Sequence, residues 1–404
     1  MVSFILAMAA ITCAAGDCAR YEKDDFSPTV VSLGNREWVC LWCINDDTNL
    51  ETRRDSFRVI SARSSDNGQT WSPPMELDLC YKSRWLRYKP EYITCFDTSK
   101  NIYIETFNGS AKSPDRGISW EIMPFSQSFH DLCNPFDEVF LSDKRGTTCR
   151  IFRPGEAGTN KAAKELSLKV SHDSEKTWSK EILLNDACGN PRLVTDGNGR
   201  WLLAVQKGHL SFSSYTSLDN GETWKSSDIF PSNLSDECNG GYLQEIGLSN
   251  SVYGSTLFSL VIGEDGGDYQ GRHSWVKVCR TSDLGLHWDN CITINDEILE
   301  NYDASEGLRL ATDNKGTWVA AWSSEMIVNG KRKLDNDIVY CVSHDDAISW
   351  SKPCPVSLDF MTSTGKDAEV SLATDGDGIW MLVWSSDDSM QRTIGRDKDV
   401  LFSI

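Results

Sequence analysis

One eight-residue pattern recurs along the chain and dominates what it can fold into. Ser/Thr-x-Asp-x-Gly-x-Thr/Ser-Trp or a near relative reads at Ser64 to Trp71, Ser113 to Trp120, Ser171 to Trp178, Ser217 to Trp224, Thr281 to Trp288 and Ser343 to Trp350. Its tryptophans are spaced 49, 58, 46, 64 and 62 residues apart, one supersecondary unit per step. Each copy reads as a tight hairpin turn. The Asp carboxylate accepts backbone N–H groups across the turn, Gly supplies a positive φ, and Trp packs its ring between strands. The third copy has Glu175 and the sixth Ala347 in the Gly position, and the fifth has His287 before its Trp.

A second repeat lies upstream of each box, as strand, Gly-rich turn and strand. Leu193 to Trp201, Leu310 to Trp318 and Leu372 to Trp380 are its clearest copies; weaker ones run Leu33 to Trp38, Asp97 to Tyr103, Asp143 to Cys149 and Leu248 to Leu257. A third repeat is the strand entering the box, as at Asp55-Ser-Phe-Arg-Val-Ile60, Asp335-Asn-Asp337-Ile-Val-Tyr340 and Asp397-Lys-Asp399-Val-Leu401. Seven hairpins thus accompany six boxes, and the seventh unit carries three strands of its own. Four short strands per unit, repeated with turn signals and without helical periodicity, predict an all-β propeller of four-stranded antiparallel blades. Six or seven blades fit, with seven favoured and the last blade incomplete or closed by the N-terminus.

The chain has 404 residues, and no linker or low-complexity run divides them, so residues 20–404 read as a single propeller domain. Residues 1–19 hold an apolar stretch too short to span a bilayer, ending in Ala14, Ala15 and Gly16; they read as a signal peptide or as a strand that closes the ring. A formal net charge of −19 repels phosphate backbones and argues against nucleic acid as a partner. Fourteen cysteines without paired Cys-x-x-Cys motifs, together with sequons at Asn108 and Asn233, fit a secreted protein with disulfides. Cys279 with Cys291 and Cys341 with Cys354 sit at matching places across a box hairpin and predict two intrablade bridges. Acidic runs at Glu264 to Asp268 and at Asp387 and Asp388 offer oxygen ligands of the kind Ca²⁺ takes, but no cofactor is demanded.

The six boxes and the strand-turn-strand unit resemble the sialidase (neuraminidase) superfamily of Asp-box, or BNR, proteins, and the resemblance spans nearly the whole chain. It implies that the boxes are turns on the face away from the substrate. It also implies three arginines holding a substrate carboxylate, a tyrosine–glutamate nucleophile and an aspartate acid/base. Carried onto this chain, Asp55 matches the acid/base position with Arg53 and Arg54 beside it, or else belongs to the Asp-x-Asp repeat of Asp335 and Asp397. Tyr302, with Glu300, Asp303 and Glu306 nearby, is a candidate nucleophile with Glu306 as its partner; Tyr242 and Tyr269 compete. Aligned first strands bring Thr29, Glu91, Arg192, Glu245, Arg309 and Glu369 to comparable places near the channel mouth. Arg192 and Arg309 are then the candidate anion clamp, with Arg54 as a further substrate contact, or else members of interblade ion pairs. The superfamily's first arginine, in a Phe-Arg-Ile-Pro-like motif, is replaced by Phe26-Ser27-Pro28; Phe152-Arg153-Pro154 is similar only in composition and sits on a second strand. The resemblance implies glycans, sialic acid among them, as partners. The reading is a glycan-directed protein of exo-sialidase type with an incomplete catalytic set; the alternative is a non-catalytic, lectin-like or protein-binding platform.

Overall fold

The computed structural model describes residues 9–10, 25–45, 55–83, 93–96, 101–106, 109–123, 139–143, 145–153, 165–173, 176–185, 187, 189–207, 212–229, 241–248, 256–265, 272–289, 291–295, 308–328, 331–357, 365–387 and 399–404. Among them there is no helix, and the strands form four-stranded antiparallel sheets, seven in number. The first comprises β2 (Asp25–Gly34), β3 (Glu37–Asn45), β4 (Asp55–Ser64) and β5 (Met75–Ser83). The second has β6 (Ile93–Phe96), β7 (Ile102–Thr106), β8 (Gly109–Ser113) and β9 (Glu121–Met123), and the third β10 (Val139–Ser142), β11 (Thr148–Phe152), β12 (Leu166–Ser171) and β13 (Ile182–Leu184). The fourth has β14 (Gly189–Thr195), β15 (Trp201–Gln206), β16 (Phe212–Ser217) and β17 (Lys225–Ile229). In the fifth are β18 (Gly241–Leu248), β19 (Thr256–Asp265), β20 (Arg272–Thr281) and β21 (Ile292–Thr293). The sixth contains β22 (Arg309–Thr312), β23 (Trp318–Val328), β24 (Lys331–Ser343) and β25 (Cys354–Pro355). The seventh has β26 (Asp367–Thr374), β27 (Trp380–Ser386) and β28 (Asp399–Ser403), and its fourth strand is β1 (Ala9–Ala10), paired with Phe402 and Leu401.

The expected propeller is therefore present. First strands of neighbouring sheets touch one another, β14 against β18, β18 against β22, β22 against β26 and β26 against β2, which places them nearest the axis and closes the ring from the seventh sheet to the first. Among the described residues, apolar layers fill five of the spaces between sheets. Trp318 and Trp322 pack on Val276 and Val278 of the fifth sheet, and Trp380 and Trp384 pack on Val319 and Ala321 of the sixth. Trp38 and Trp42 meet Met381 and Val383, Val39 and Leu41 meet Ile102 and Ile104, and Trp201 and Leu203 meet Cys149 and Val170. The layer arises because strand alternation gives each sheet two apolar faces, which only a neighbour on each side can bury.

The boxes are turns, as their residue types dictate. In the first, Asp66 Oδ1 accepts Thr70 N–H at 2.9 Å and the Ser64 hydroxyl at 2.8 Å, Asp66 Oδ2 accepts the Thr70 hydroxyl, and Gly68 N–H donates to Ser64 Oγ at 2.8 Å. The same scheme holds at Asp115, Asp219, Asp283 and Asp345. The residue before Gly also takes a positive φ, 61° at Asn67, 62° at Asn220 and 59° at Asp346. These three side chains accept the indole N–H of Trp38, Trp201 and Trp318, so each box is tied to the first hairpin of its own sheet.

Of the two expected bridges, Cys279–Cys291 is formed and Cys341–Cys354 is not. Val278 lies opposite Ile292, which sets Cys279 across from Cys291, whereas Cys354 lies opposite Tyr340. A one-residue offset turns the second pair to opposite faces of the sheet, with Cys341 buried and Cys354 exposed.

Candidate functional site

The first strands end in Gly-rich turns on the box side, so their opening residues lie at the opposite mouth of the channel. Register fixes which residues share a level. Taking the residue across from the position three beyond the hairpin Trp, the set is Thr29 (opposite Leu41), Arg192 (opposite Ala204), Arg309 (opposite Ala321) and Ser371 (opposite Val383). In the fifth sheet the matching residue is Glu245, opposite Ser259. Arg192, Glu245 and Arg309 thus occupy one level on three consecutive sheets, as the strand alignment expects. Arg192 and Arg309 are half-buried, and each donates from Nη1 to the carbonyl of the residue before it, Pro191 at 3.2 Å and Leu308 at 3.0 Å.

Glu369 departs from its expected level. It stands two residues before Ser371, inside a register break between Ala368 and Ser371, with φ of 58°. Its carboxylate accepts the backbone N–H of Ser27 in the first sheet and the hydroxyl of Ser385, the latter at 3.3 Å. Ser27 itself has φ of 50° and sits in a matching break between Phe26 and Thr29. Two non-glycine residues in the left-handed region, facing each other across the ring-closing joint, hold a carboxylate where the superfamily motif would set an arginine. Beside them Asp25 is 4% exposed and accepts Trp42 Nε1–H at 3.2 Å.

Asp55 opens β4 opposite Ser83, and its side chain lies outside the described residues, as do Arg54, Tyr302, Glu306, Glu91 and Tyr269. Tyr242 lies in β18 opposite Val261. The Asp-x-Asp alignment shifts on pairing. Trp42 lies opposite Ile60, Trp322 opposite Val339 and Trp384 opposite Leu401, so Ser56 rather than Asp55 stands level with Asp335, and Arg58 stands level with buried Asp337 and Asp399. Asp387 accepts the Lys366 N–H at 2.5 Å. Among the described residues no cluster of His, Cys, Asp or Glu is arranged to hold a metal.

Sequence reasoning missed the Ser27–Glu369 contact. Its only signal was Pro28 following a residue that the superfamily motif would make arginine, since a chain-distant hydrogen bond leaves no local trace.

No protein-family model and no curated protein matches the sequence. Among solved structures, a protein of unknown function from Dyadobacter fermentans is similar at 14% identity and TM-score 0.50, with 95% of this chain and 94% of that chain covered. A polysaccharide lyase of family PL25, an ulvan lyase, is similar at 10% identity and TM-score 0.51, with 94% and 93% covered. The fold is that of a β-propeller whose box hairpins close on an aspartate. The NanB sialidase of Streptococcus pneumoniae also aligns, at 12% identity and TM-score 0.41, over 100% of this propeller and 70% of that chain.

Proposed function

We propose that this propeller is a glycan-directed protein that takes a carboxylated sugar at the channel mouth, with Arg192 and Arg309 as the carboxylate contacts. The observation that carries the reading is their common level on the innermost strands of the fourth and sixth sheets, opposite the small residues Ala204 and Ala321. Guanidinium groups are built for planar, bidentate carboxylates, and a pair at one level on two blades would select a ligand by shape as well as charge. Glycan action by structural neighbours, a polysaccharide lyase among them, supports the reading. An extracellular setting fits the Cys279–Cys291 bridge and the absence, among the described residues, of any helix long and apolar enough to cross a membrane.

A binding platform without turnover is the form that Ser27 and Glu369 favour. An exo-sialidase would recruit Asp55 as acid/base and Tyr302 with Glu306 as nucleophile, Arg54 adding a substrate contact. Its carboxylate grip would be short of the arginine that Ser27 replaces. Two measurements test the reading on the full chain. On a glycan panel, carboxylated sugars are retained over their neutral counterparts, and Arg192→Ala or Arg309→Ala weakens retention by about tenfold or more, the worth of one charge-assisted hydrogen-bonded contact. A panel on which carboxylated and neutral glycans behave alike overturns the assignment. Hydrolysis of a fluorogenic sialoside at mildly acidic pH would instead favour the enzyme.

A further inference from the structure

The face that the third sheet turns toward its predecessor differs from the corresponding face of the fourth. Strand pairing makes Leu203 and Tyr215 directly opposed in the fourth sheet, where both pack into the apolar layer shared with the third. At the same positions of the third sheet, counted from Trp201 and Thr148, stand Arg150 and Lys169, directly opposed on β11 and β12. Both cations lie 5.2 Å from the centre of the Phe152 ring. Lys169 also approaches Glu181 at 3.7 Å.

The facing surface of the second sheet has the same character. Ile102, Ile104 and Ala111 point into the layer shared with the first sheet, so alternation turns Tyr103 and Lys112 toward the third. Those two residues are directly opposed on β7 and β8, with Lys112 Nζ 5.6 Å from the Tyr103 ring centre. Among the described residues the apolar layers lie at other joints, and these two facing surfaces carry cations beside aromatic rings instead.

Like charges directly opposed across two strands cost stability, and here the Phe152 ring and the Glu181 carboxylate offset part of that cost. Cations alternating with aromatic rings are the lining that an anionic sugar requires: rings cover its C–H faces and ammonium and guanidinium groups take its sulfate or carboxylate. Phe152 is 8% exposed, whereas the Lys169 side chain keeps 34% of its surface, so access is from the rim of the joint.

We propose that the joint between the second and third sheets is a second binding site, for an anionic saccharide. It is independent of Arg192 and Arg309. The net charge of −19 makes the test sharp, because an acidic protein gains nothing from a polyanion except through a local basic site.

The experiment uses the full chain and an immobilised sulfated galactan hexasaccharide, which carries no carboxylate for Arg192 and Arg309 to take, with its desulfated counterpart and inorganic sulfate as controls. The wild type binds the sulfated hexasaccharide and not the desulfated one. The double variant Arg150→Gln/Lys169→Gln binds at least tenfold more weakly, while Arg192→Gln/Arg309→Gln binds as the wild type does. Lys112→Gln, at a partly exposed position, serves as a milder variant that keeps the apolar layers intact and weakens binding severalfold. Absence of wild-type binding, undiminished binding by both Lys112→Gln and the double variant, or loss confined to the Arg192/Arg309 variant overturns the site. Full displacement by inorganic sulfate at equal concentration overturns the saccharide assignment in favour of a simple anion.

Discussion

Gly117 of the second box lies against Val39 of the first sheet: a methyl group placed on its Cα would sit 2.6 Å from Val39 Cγ2. Gly117 has φ of 85°, so Gly117→Ala adds a left-handed backbone cost of about 1–2 kcal/mol to an overpacking cost of about 1–3 kcal/mol. The expected result is destabilisation by about 2–5 kcal/mol in urea titration, with an unchanged slope.

The sixth box already carries that exchange. Ala347 has φ of 65° and is 2% exposed, within the layer between the fifth and sixth sheets. Ala347→Gly removes a left-handed cost of about 1 kcal/mol and a buried methyl worth about 0.8 kcal/mol. The two nearly cancel, and urea midpoints of variant and wild type should agree within an equivalent of about 0.5 kcal/mol.

Acid should attack the boxes together. Hydrogen bonds from the Thr177 and Thr223 hydroxyls and backbone hold Asp173 and Asp219 below the ordinary carboxylate range, Asp173 at about 2. At Asp66, Asp115, Asp283 and Asp345 partial desolvation pulls upward and is outweighed by the same bonds. A carboxylate lowered in the folded state contributes stability that is whole above its unfolded pKa, about 3.9, and is lost as pH falls through the folded value. Melting temperature should therefore change little from neutrality to about pH 5 on account of these groups and fall steeply below about pH 4. Asp173→Asn makes that fall shallower; an identical slope in the variant would remove the box carboxylates as its cause.

Peptide mapping without reduction should link Cys279 to Cys291 and find alkylated thiols at Cys341 and Cys354. Removing the formed bridge by Cys279→Ser/Cys291→Ser costs about 3 kcal/mol, the loop-closure value for a span of this size. A linked Cys341–Cys354 peptide would contradict the one-residue offset of β25.

How far the sequence carried depended on whether the determining contacts are local. Box turns were legible because Ser64, Asp66, Gly68 and Thr70 make their bonds within four residues of one another. The left-handed residue before Gly, Asn67 or Asp346, was not foreseen, although Asn and Asp tolerate that conformation. Arg192 and Arg309 came out level because their hairpins have no register break between them and the turn. Glu369 was misplaced because its strand bulges, and a bulge shifts every residue beyond it. Likewise Arg58, Asp337 and Asp399 align only once strands are paired, since the loops before them differ in length. The cation pair Arg150 and Lys169 was readable in principle, by comparing the third unit with Leu203 and Tyr215.

In a closed ring the last sheet is also the first sheet's neighbour, so Val30, Trp38 and Trp42 share one apolar layer with Met381, Val383, Val400 and Phe402. Loss of the final strand would therefore loosen two sheets at once, its own and the one that opens the circle.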